Sequence, residues 1–258
     1  MTADIAAAPG VYMRLRETPW DAKALGRPTL DITELALAIE TGGDAALDAD
    51  LFAHLDALCA ERATGLVTTR LDAERRGAVG RMQAAGFRYV ETAYRLSYRN
   101  VARYEPPPRV ARIKLREAMP RDHDALVEQA ADSFRYGRFA EDPAIPEEVN
   151  RRRQIDWMEG LLNGGARVLV ADAGGAPGAF MAFRVNQGVA DLILAGTRPQ
   201  LGVLAHPLWI AVMKVLKEEG VARAETVISA ANIGVVNLYG TLGFRFEQAL
   251  VGLHLHRP

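Results

Sequence analysis

The sequence predicts an α/β (α+β) protein in which helices flank a mixed central sheet. The second part of the chain interleaves segments of strand periodicity with segments of helical periodicity. Three of its strand-like segments follow one another through short turn-like connections, which is typical of an antiparallel meander. Hydrophobic residues make up 49% of the 258 residues, enough for one large core or two small ones.

Composition argues against several classes of partner. The 31 Lys and Arg residues nearly balance the 32 Asp and Glu residues, so we expect neither nucleic acid nor an anionic membrane as a partner. The opening residues do not resemble a secretion signal, and a cytoplasmic protein is expected. The single cysteine, Cys59, lies in an apolar helical stretch and is interpreted as a core residue. A metal site is not expected.

The clearest division of the chain lies at residues 103–108, where three prolines stand in a row. Prolines supply no backbone donor and disfavour helix at the preceding residue. We therefore predict two domains, residues 1–105 and 106–258.

The second domain should open with a strand and two helices. Alternation predicts a strand over 109–118, and helical spacing after Asp122, a suitable N-cap, predicts a helix that reaches Phe134. A second helix should begin near Pro146, because proline favours the first turn, and should stop at 163–165.

The remaining elements continue the same alternation of periodicities. The predicted strands and helices, in order, are strands 167–173, 178–185 and 189–196, a helix from Pro207 to Gly220, strand 225–231, a short helix within 232–244, and strand 249–256.

The first domain contains a faint echo of the second. Residues 80–98 can be laid on residues 237–255, so that Gly86 and Phe87 match Gly243 and Phe244. A degenerate half copy and a chance match both explain this, because helices very commonly end in glycine.

Residues 232–244, N-I-G-V-V-N-L-Y-G-T-L-G-F, resemble the closing motif of the GNAT acetyltransferases. Element order and motif position agree with that family across 109–258. The resemblance implies a GNAT fold for 106–258, a truncated GNAT-like half for 1–105, and acetyl-coenzyme A as co-substrate. A narrower similarity, to TDP-fucosamine-type sugar-nucleotide acetyltransferases, rests on 19–32, on the half copy and on 133–143.

The resemblance also assigns the chemistry. In the family, two central strands splay apart and admit the pantetheine arm, which here implies 189–196 and 224–231. The backbone around Leu194 and Ala195 is then expected to face the acetyl carbonyl and the cofactor. Tyr239 stands where the family places the tyrosine that protonates the coenzyme A sulfur. For a lone tyrosine, packing of helix on sheet is the alternative.

The expected cofactor contacts are less regular. Asn232 would contact pantetheine or pyrophosphate, or would simply cap the following helix. The family's glycine-rich phosphate loop is altered here, since only Gly202 and Ala205 are small in 197–207. Arg198 or His206 would then have to contact phosphate directly, although an exposed arginine is usually a solvated charge.

The acceptor site is predicted from the subfamily similarity. Arg138 would engage a nucleotide diphosphate, Phe139 would stack on a ring, and Asp142 would orient an amine or hydroxyl. An ordinary loop is the equal alternative. No general base stands out among the candidate histidines, which are His123, His206, His254 and His256.

These features favour an N-acetyltransferase that acts on a primary amine of a small molecule, with an amino-sugar nucleotide as the favoured acceptor. The alternatives are another amine, such as an amino acid, polyamine, antibiotic or protein N-terminus, and a catalytically silent GNAT-like module. The sequence leaves a homodimer open.

Overall fold

The computed structural model describes residues 2–107, 113–133 and 135–257. Within them, eleven strands form one sheet in the order β1-β2-β3-β4-β11-β5-β10-β9-β8-β7-β6. The strands are β1 (Thr2–Ala8), β2 (Val11–Glu17), β3 (Thr29–Ala36), β4 (Leu66–Asp72), β5 (Arg88–Tyr98), β6 (Leu115–Glu117), β7 (Arg167–Ala173), β8 (Ala176–Asn186), β9 (Val189–Thr197), β10 (Arg223–Ser229) and β11 (Arg245–His256).

Seven α-helices cover the two faces of this sheet. They are α1 (Pro19–Leu25), α2 (Ala45–Glu61), α3 (Arg76–Ala84), α4 (His123–Ser133), α5 (Glu147–Gly160), α6 (Ala205–Glu218) and α7 (Ile233–Thr241). Alternate residues of β8 separate the layers, because Met181 packs in the core beneath α6 while Phe180 and Ala182 pack beneath α4 and α5. A mixed sheet flanked by helices is therefore confirmed.

The predicted element order is confirmed, and the differences lie at element ends. Strand β11 begins at Arg245, four residues earlier than predicted, because its first residues pair with β5. Helix α6 begins at Ala205, ahead of Pro207, which the first turn tolerates. Of the predicted strand 109–118, residues 115–117 form β6, while 109–112 and the predicted helix residue Phe134 lie outside the described residues.

The predicted cap of α4 is wrong in detail. The Asp122 carboxylate accepts a hydrogen bond from the backbone N–H of Met119, 2.8 Å away, and pairs with Arg116. It therefore stabilises the 3-10 turn Pro120–Asp122, which leads into α4, and the guanidinium holds the pKa of Asp122 below its usual value.

The two halves of the chain exchange their last strands. Strand β11 lies between β4 and β5, and β5 lies between β11 and β10, so each half completes the other's part of the sheet. The predicted boundary at 105/106 falls between the 3-10 turn Val101–Arg103 and β6, and the sheet is continuous across it.

The echo between the halves corresponds to a structural repeat. Helix α3 and strand β5 in the first half correspond to α7 and β11 in the second. Gly86 and Gly243 both adopt positive φ, +93° and +84°, in the turn between helix and strand. Phe87 and Phe244, the residues that follow, are both buried.

One segment, Pro199–Glu218, is long and apolar enough to pass as a membrane span by composition, with a mean hydropathy of 1.3. It contains α6, whose Leu208, Val212 and Leu216 are buried against the sheet. An apolar face packed in this way is what a core helix of a folded domain requires.

Candidate active site

The central feature of the second half is a pair of parallel strands that part. Strands β9 and β10 pair through three residue pairs, from Val189 with Arg223 to Asp191 with Glu225. Both strands then continue, β9 over 192–197 and β10 over 226–229. We call this the C-terminal fork. At its apex the Thr226 hydroxyl donates to the Leu192 carbonyl oxygen, 2.9 Å away.

A β-bulge lies at the same point of β9. Leu192 pairs with Phe183 and Leu194 with Ala182, so Ile193 is an extra residue relative to β8. Bulges bend a strand and are over-represented next to active sites. The predicted backbone positions, Leu194 and Ala195, therefore lie just past the bulge on one arm of the fork. Sequence reasoning did not foresee the bulge, because no residue type marks it.

Tyr239 lies beneath the fork on α7. This helix begins at Asn232, whose Oδ1 accepts a hydrogen bond from the Val235 N–H at 3.3 Å, so the capping role of Asn232 is confirmed. The Tyr239 ring packs edge-on against Phe244 and Trp209, with ring centroids 4.8 and 6.0 Å away. Tyr239 therefore packs its helix onto the sheet and also lies beneath the fork.

The Tyr239 hydroxyl is enclosed by protein, since the residue is only 3% exposed. Burial raises its pKa to about 12, while the side chains of Trp209 and Thr226 beside the hydroxyl oppose that shift. The phenol is thus protonated across the neutral range. Trp209 Nε1 is a buried N–H donor, and no acceptor within the described residues lies at both the distance and the angle of a hydrogen bond to it.

Two carboxylates stand on the last paired row before the strands part. Asp191 and Glu225 are partners in register, and alternation places both on the face opposite Leu192 and Thr226. Burial raises the pKa of Asp191, with Arg184 opposing the shift and Glu225 adding to it. Sequence reasoning weighed only histidines as bases and missed this pair. An aspartate inside the apolar run of 189–196 was the available indication.

The altered phosphate loop is a 3-10 helix, Pro199–Leu204. Its amides are used internally, because Leu201 N donates to Arg198 O and Ala205 N donates to Gly202 O. A Cβ at Gly202 would meet nothing within 4 Å, so glycine is not sterically required there. The loop therefore does not form a cradle of free amides of the glycine-rich kind.

Two basic side chains lie at the mouth of the fork. Arg198 directly follows β9, is half-buried, and forms no ion pair with any residue that the structure describes. His206 stands in the first turn of α6, and its buried Nε2 has no hydrogen-bond partner within the described chain. Arg198 is available for an anion at this helix N-terminus, and the His206 ring would have to turn to expose Nε2 to one.

The predicted acceptor residues make contacts inside the protein. Arg138 pairs with Asp21 at 2.8 Å and with Asp31 at 3.4 Å. Phe139 is buried beside Leu66. The Asp142 carboxylate bonds the imidazoles of His254 and His256. Arg138, Phe139 and Asp142 therefore lie over the N-terminal half of the sheet.

The predicted residues therefore fall into two groups. Thr226, Leu96 and Phe246 lie in one row across the sheet, level with the apex of the fork. His254, the partner of Asp142, lies eight residues further along β11, which at roughly 3.3 Å per residue is about 25 Å. The structure brings Leu194, Ala195, Asn232, Tyr239 and the 198–206 loop together. Arg138, Phe139 and Asp142 lie elsewhere.

Comparisons with known proteins identify the fold. No protein-family model and no curated protein matches the sequence. Among solved structures, a GCN5-related N-acetyltransferase from Sphaerobacter thermophilus superposes with a TM-score of 0.69 at 16% identity, over 96% of this chain and 78% of that one. A GCN5-related N-acetyltransferase from Kribbella flavida gives 0.61 at 17% identity, covering 98% and 88%.

A tandem GNAT protein from the clavulanic acid biosynthesis pathway is also similar, with a TM-score of 0.59 at 18% identity, covering 96% of this chain and 79% of that one. At such identities the likeness establishes the fold. The chain has the GNAT fold, and its two halves match the tandem arrangement.

Proposed function

We propose that this protein is an N-acetyltransferase that moves the acetyl group of acetyl-coenzyme A to a primary amine of a small molecule. The observation that carries the proposal is the Tyr239 hydroxyl at the apex of the C-terminal fork. Strands that part leave backbone donors and acceptors facing the gap, and an extended pantetheine arm can pair with them as an added strand does.

Several groups near the apex suit a thioester. Past the bulge, the backbone N–H of either Leu194 or Ala195, whichever is not directed at β8, would face the carbonyl oxygen on which negative charge develops. The buried Nε1 donor of Trp209 lies beside the Tyr239 hydroxyl and adds a second polar group in a desolvated site. At the mouth of the fork, Arg198 and His206 would take the pyrophosphate in place of a glycine-rich loop.

The reaction follows from this arrangement. The amine nitrogen attacks the thioester carbonyl, so that an N–C bond forms and the C–S bond breaks. Tyr239, which its pKa of about 12 keeps protonated, donates to the departing sulfur. The surplus proton of the amine passes to the Asp191 carboxylate, directly or through water, and returns to the phenolate through solvent.

The carboxylate pair also suits the acceptor. Asp191 lies on the face opposite Thr226, where it would attract an ammonium group before that group loses its proton, while Arg223 neutralises much of the Glu225 charge. Only the sequence resemblance favours an amino-sugar nucleotide as the acceptor. The residues that it assigned to this acceptor, Arg138, Phe139 and Asp142, make internal contacts instead.

Two measurements on the full chain test the proposal. Acetyl-coenzyme A at millimolar concentration should raise the melting temperature, because a ligand of the folded state stabilises it. A panel of amines that includes an amino-sugar nucleotide, polyamines and amino acids should then identify an acceptor by release of free thiol. S-acetylpantetheine, which lacks the phosphates, is the matched ligand control and should bind more weakly.

The absence of a thermal shift with acetyl-coenzyme A would favour the silent GNAT-like module. A shift without thiol release from any amine would leave cofactor binding intact and reject the proposed class of acceptor.

A further inference from the structure

A second polar cluster lies far from the C-terminal fork, on the other half of the sheet. His254 and His256 are two residues apart on β11, so their imidazoles share one face of the strand. Asp142 reaches them from the segment between α4 and α5. One ligand atom from each of the three residues lies within 4.8 Å of the others.

We propose that Asp142, His254 and His256 bind a divalent transition metal ion, with Zn²⁺ the best match. Two imidazoles and one carboxylate form a donor set that zinc accepts, with further positions left for water. Asp142 and His254 are buried and already held in place, while the His256 side chain is 30% exposed and gives an ion a path from solvent.

A purely hydrogen-bonded cluster is the competing explanation. Asp142 Oδ2 accepts from His254 Nδ1 at 2.6 Å and from His256 Nε2 at 2.7 Å. Ligands about 2.0–2.1 Å from a tetrahedral zinc lie roughly 3.3 Å apart. The carboxylate would therefore need to withdraw from each imidazole by less than about 1 Å, which is a small movement for a side chain in a connecting segment.

The position of the proton on the His254 imidazole is also compatible with a bound ion. Zinc binds neutral imidazole, so His254 would move its proton from Nδ1 to Nε2. Within the described residues His254 Nε2 makes no hydrogen bond, so the change of tautomer gives up the Nδ1 bond to Asp142 and no bond at Nε2.

The position of the site indicates what the ion would do. It would join the segment that carries Asp142 to the last strand of the chain, about 25 Å along β11 from the row of the fork apex. A metal there clamps that segment onto the N-terminal half of the sheet and does not touch the thioester. The inference is thus independent of acetyl transfer.

The test is a zinc titration of the full chain without a histidine tag, after treatment with a chelator. Calorimetry should give one equivalent of Zn²⁺ with micromolar or tighter affinity, and Co²⁺ should give a visible absorption band. His256→Ala should weaken zinc binding on the order of 100-fold, since even loss of an outer-shell partner costs 10–100-fold. His123→Ala is the control, because that exposed histidine has its own partner, Asp124.

If wild-type protein shows no saturable zinc binding, the cluster is a hydrogen-bond network only and the proposal fails. Binding of full affinity in His256→Ala would equally overturn it, because the ion would then lie elsewhere. Because His256 is partly exposed, His256→Ala should fold, and its Co²⁺ spectrum then reports loss of the ion and not loss of structure.

Discussion

The two halves of this protein contain the same fork and differ in what stands at it. In the first half, β3 and β4 pair in parallel from Thr29 with Leu66 to Ile32 with Thr69, and both strands then continue. We call this the N-terminal fork. In the second half, β9 and β10 do the same over three pairs. Both halves thus contain two parallel strands that part, and the chemistry possible at each fork depends on a few side chains.

The residue beneath each fork shows the difference most directly. The alignment of 80–98 with 237–255 puts Met82 at the position of Tyr239. Met82 is fully buried and packs α3 on the sheet. A thioether has no ionisable proton, so it can fill the space of a tyrosine without serving as an acid.

The turn that follows the first strand of each fork differs as well. After β3, the buried Asp48 carboxylate accepts from Ala38 N at 2.7 Å and Ile39 N at 3.3 Å. Those two amides are satisfied by a carboxylate, which Arg81 approaches to 3.8 Å, so they are not free to bind a phosphate. After β9, Arg198 and His206 stand at the corresponding place. Among the described residues, the N-terminal fork therefore has no counterpart of the acid or of the phosphate contacts that are proposed for the C-terminal fork.

What the first half supplies instead is a surface that the second half covers. Arg138 and Arg153 of the second half both pair with Asp21 of α1, at 2.8 and 2.5 Å. Phe139 packs in the same interface beside Leu66. In the proposed function, the second half carries the reaction and the first half serves as its platform.

Removing the centre of that interface should have the largest effect. Asp21→Ala leaves the Arg153 guanidinium without the carboxylate it pairs with and leaves Arg138 with Asp31 alone, and breaking such a buried pair typically costs about 3–5 kcal/mol of unfolding free energy. Urea denaturation measures it. Asp156→Ala is the control, since it breaks an exposed pair with Lys23 between the same helices and should cost at most about 1 kcal/mol. Equal losses in both variants would mean that the buried network does not join the halves.

The sequence was sufficient for much of this architecture. Periodicity located the strands of the second half, and Gly86 and Gly243 marked the repeat because both positions require positive φ. The exchange of β5 and β11 was not predictable, since pairing between distant strands leaves no local pattern.

The site divided in the same way. A local sequence motif was enough to identify Tyr239 and Asn232, and the amide side chain of Asn232 predicts the helix cap. Two features could not be predicted from the sequence, because both arise from register across the sheet. They are the bulge at Ile193 and the pairing of Asp191 with Glu225. Arg138, Phe139 and Asp142 were grouped with Tyr239 by family resemblance, and only the sheet order shows the distance between them.

Tyr239→Phe tests the comparison at the two forks themselves. Phenylalanine keeps the packing against Phe244 and removes the proton donor, so turnover should fall on the order of 100-fold, as expected for loss of a general acid. Acetyl-coenzyme A affinity, from calorimetry, should stay within about threefold of wild type because the backbone of the fork is unchanged.

The matched variant is Met82→Leu, which alters the equivalent buried position of the N-terminal fork. It should leave turnover unchanged and affect stability by less than about 1.5 kcal/mol. Wild-type turnover in Tyr239→Phe, with chemistry shown to limit the rate, would remove the hydroxyl from the mechanism. A large loss of turnover in Met82→Leu would mean that the two forks are coupled.

The smallest effect should come from the carboxylate row, which only the C-terminal fork possesses. Asp191→Asn should lower kcat/KM for the amine roughly tenfold, less than the roughly 10²–10⁴-fold that a general base typically contributes, because water can still accept the proton. Burial raises the pKa of Asp191, so the wild-type carboxylate is lost as the pH falls through a value above that of an ordinary aspartate. The pH profile of kcat/KM should therefore show an acidic limb that Asp191→Asn lacks. Glu34→Gln, an exposed carboxylate on β3 of the other half, is the control and should leave the profile intact. An unchanged acidic limb in Asp191→Asn would assign the proton transfer to water alone.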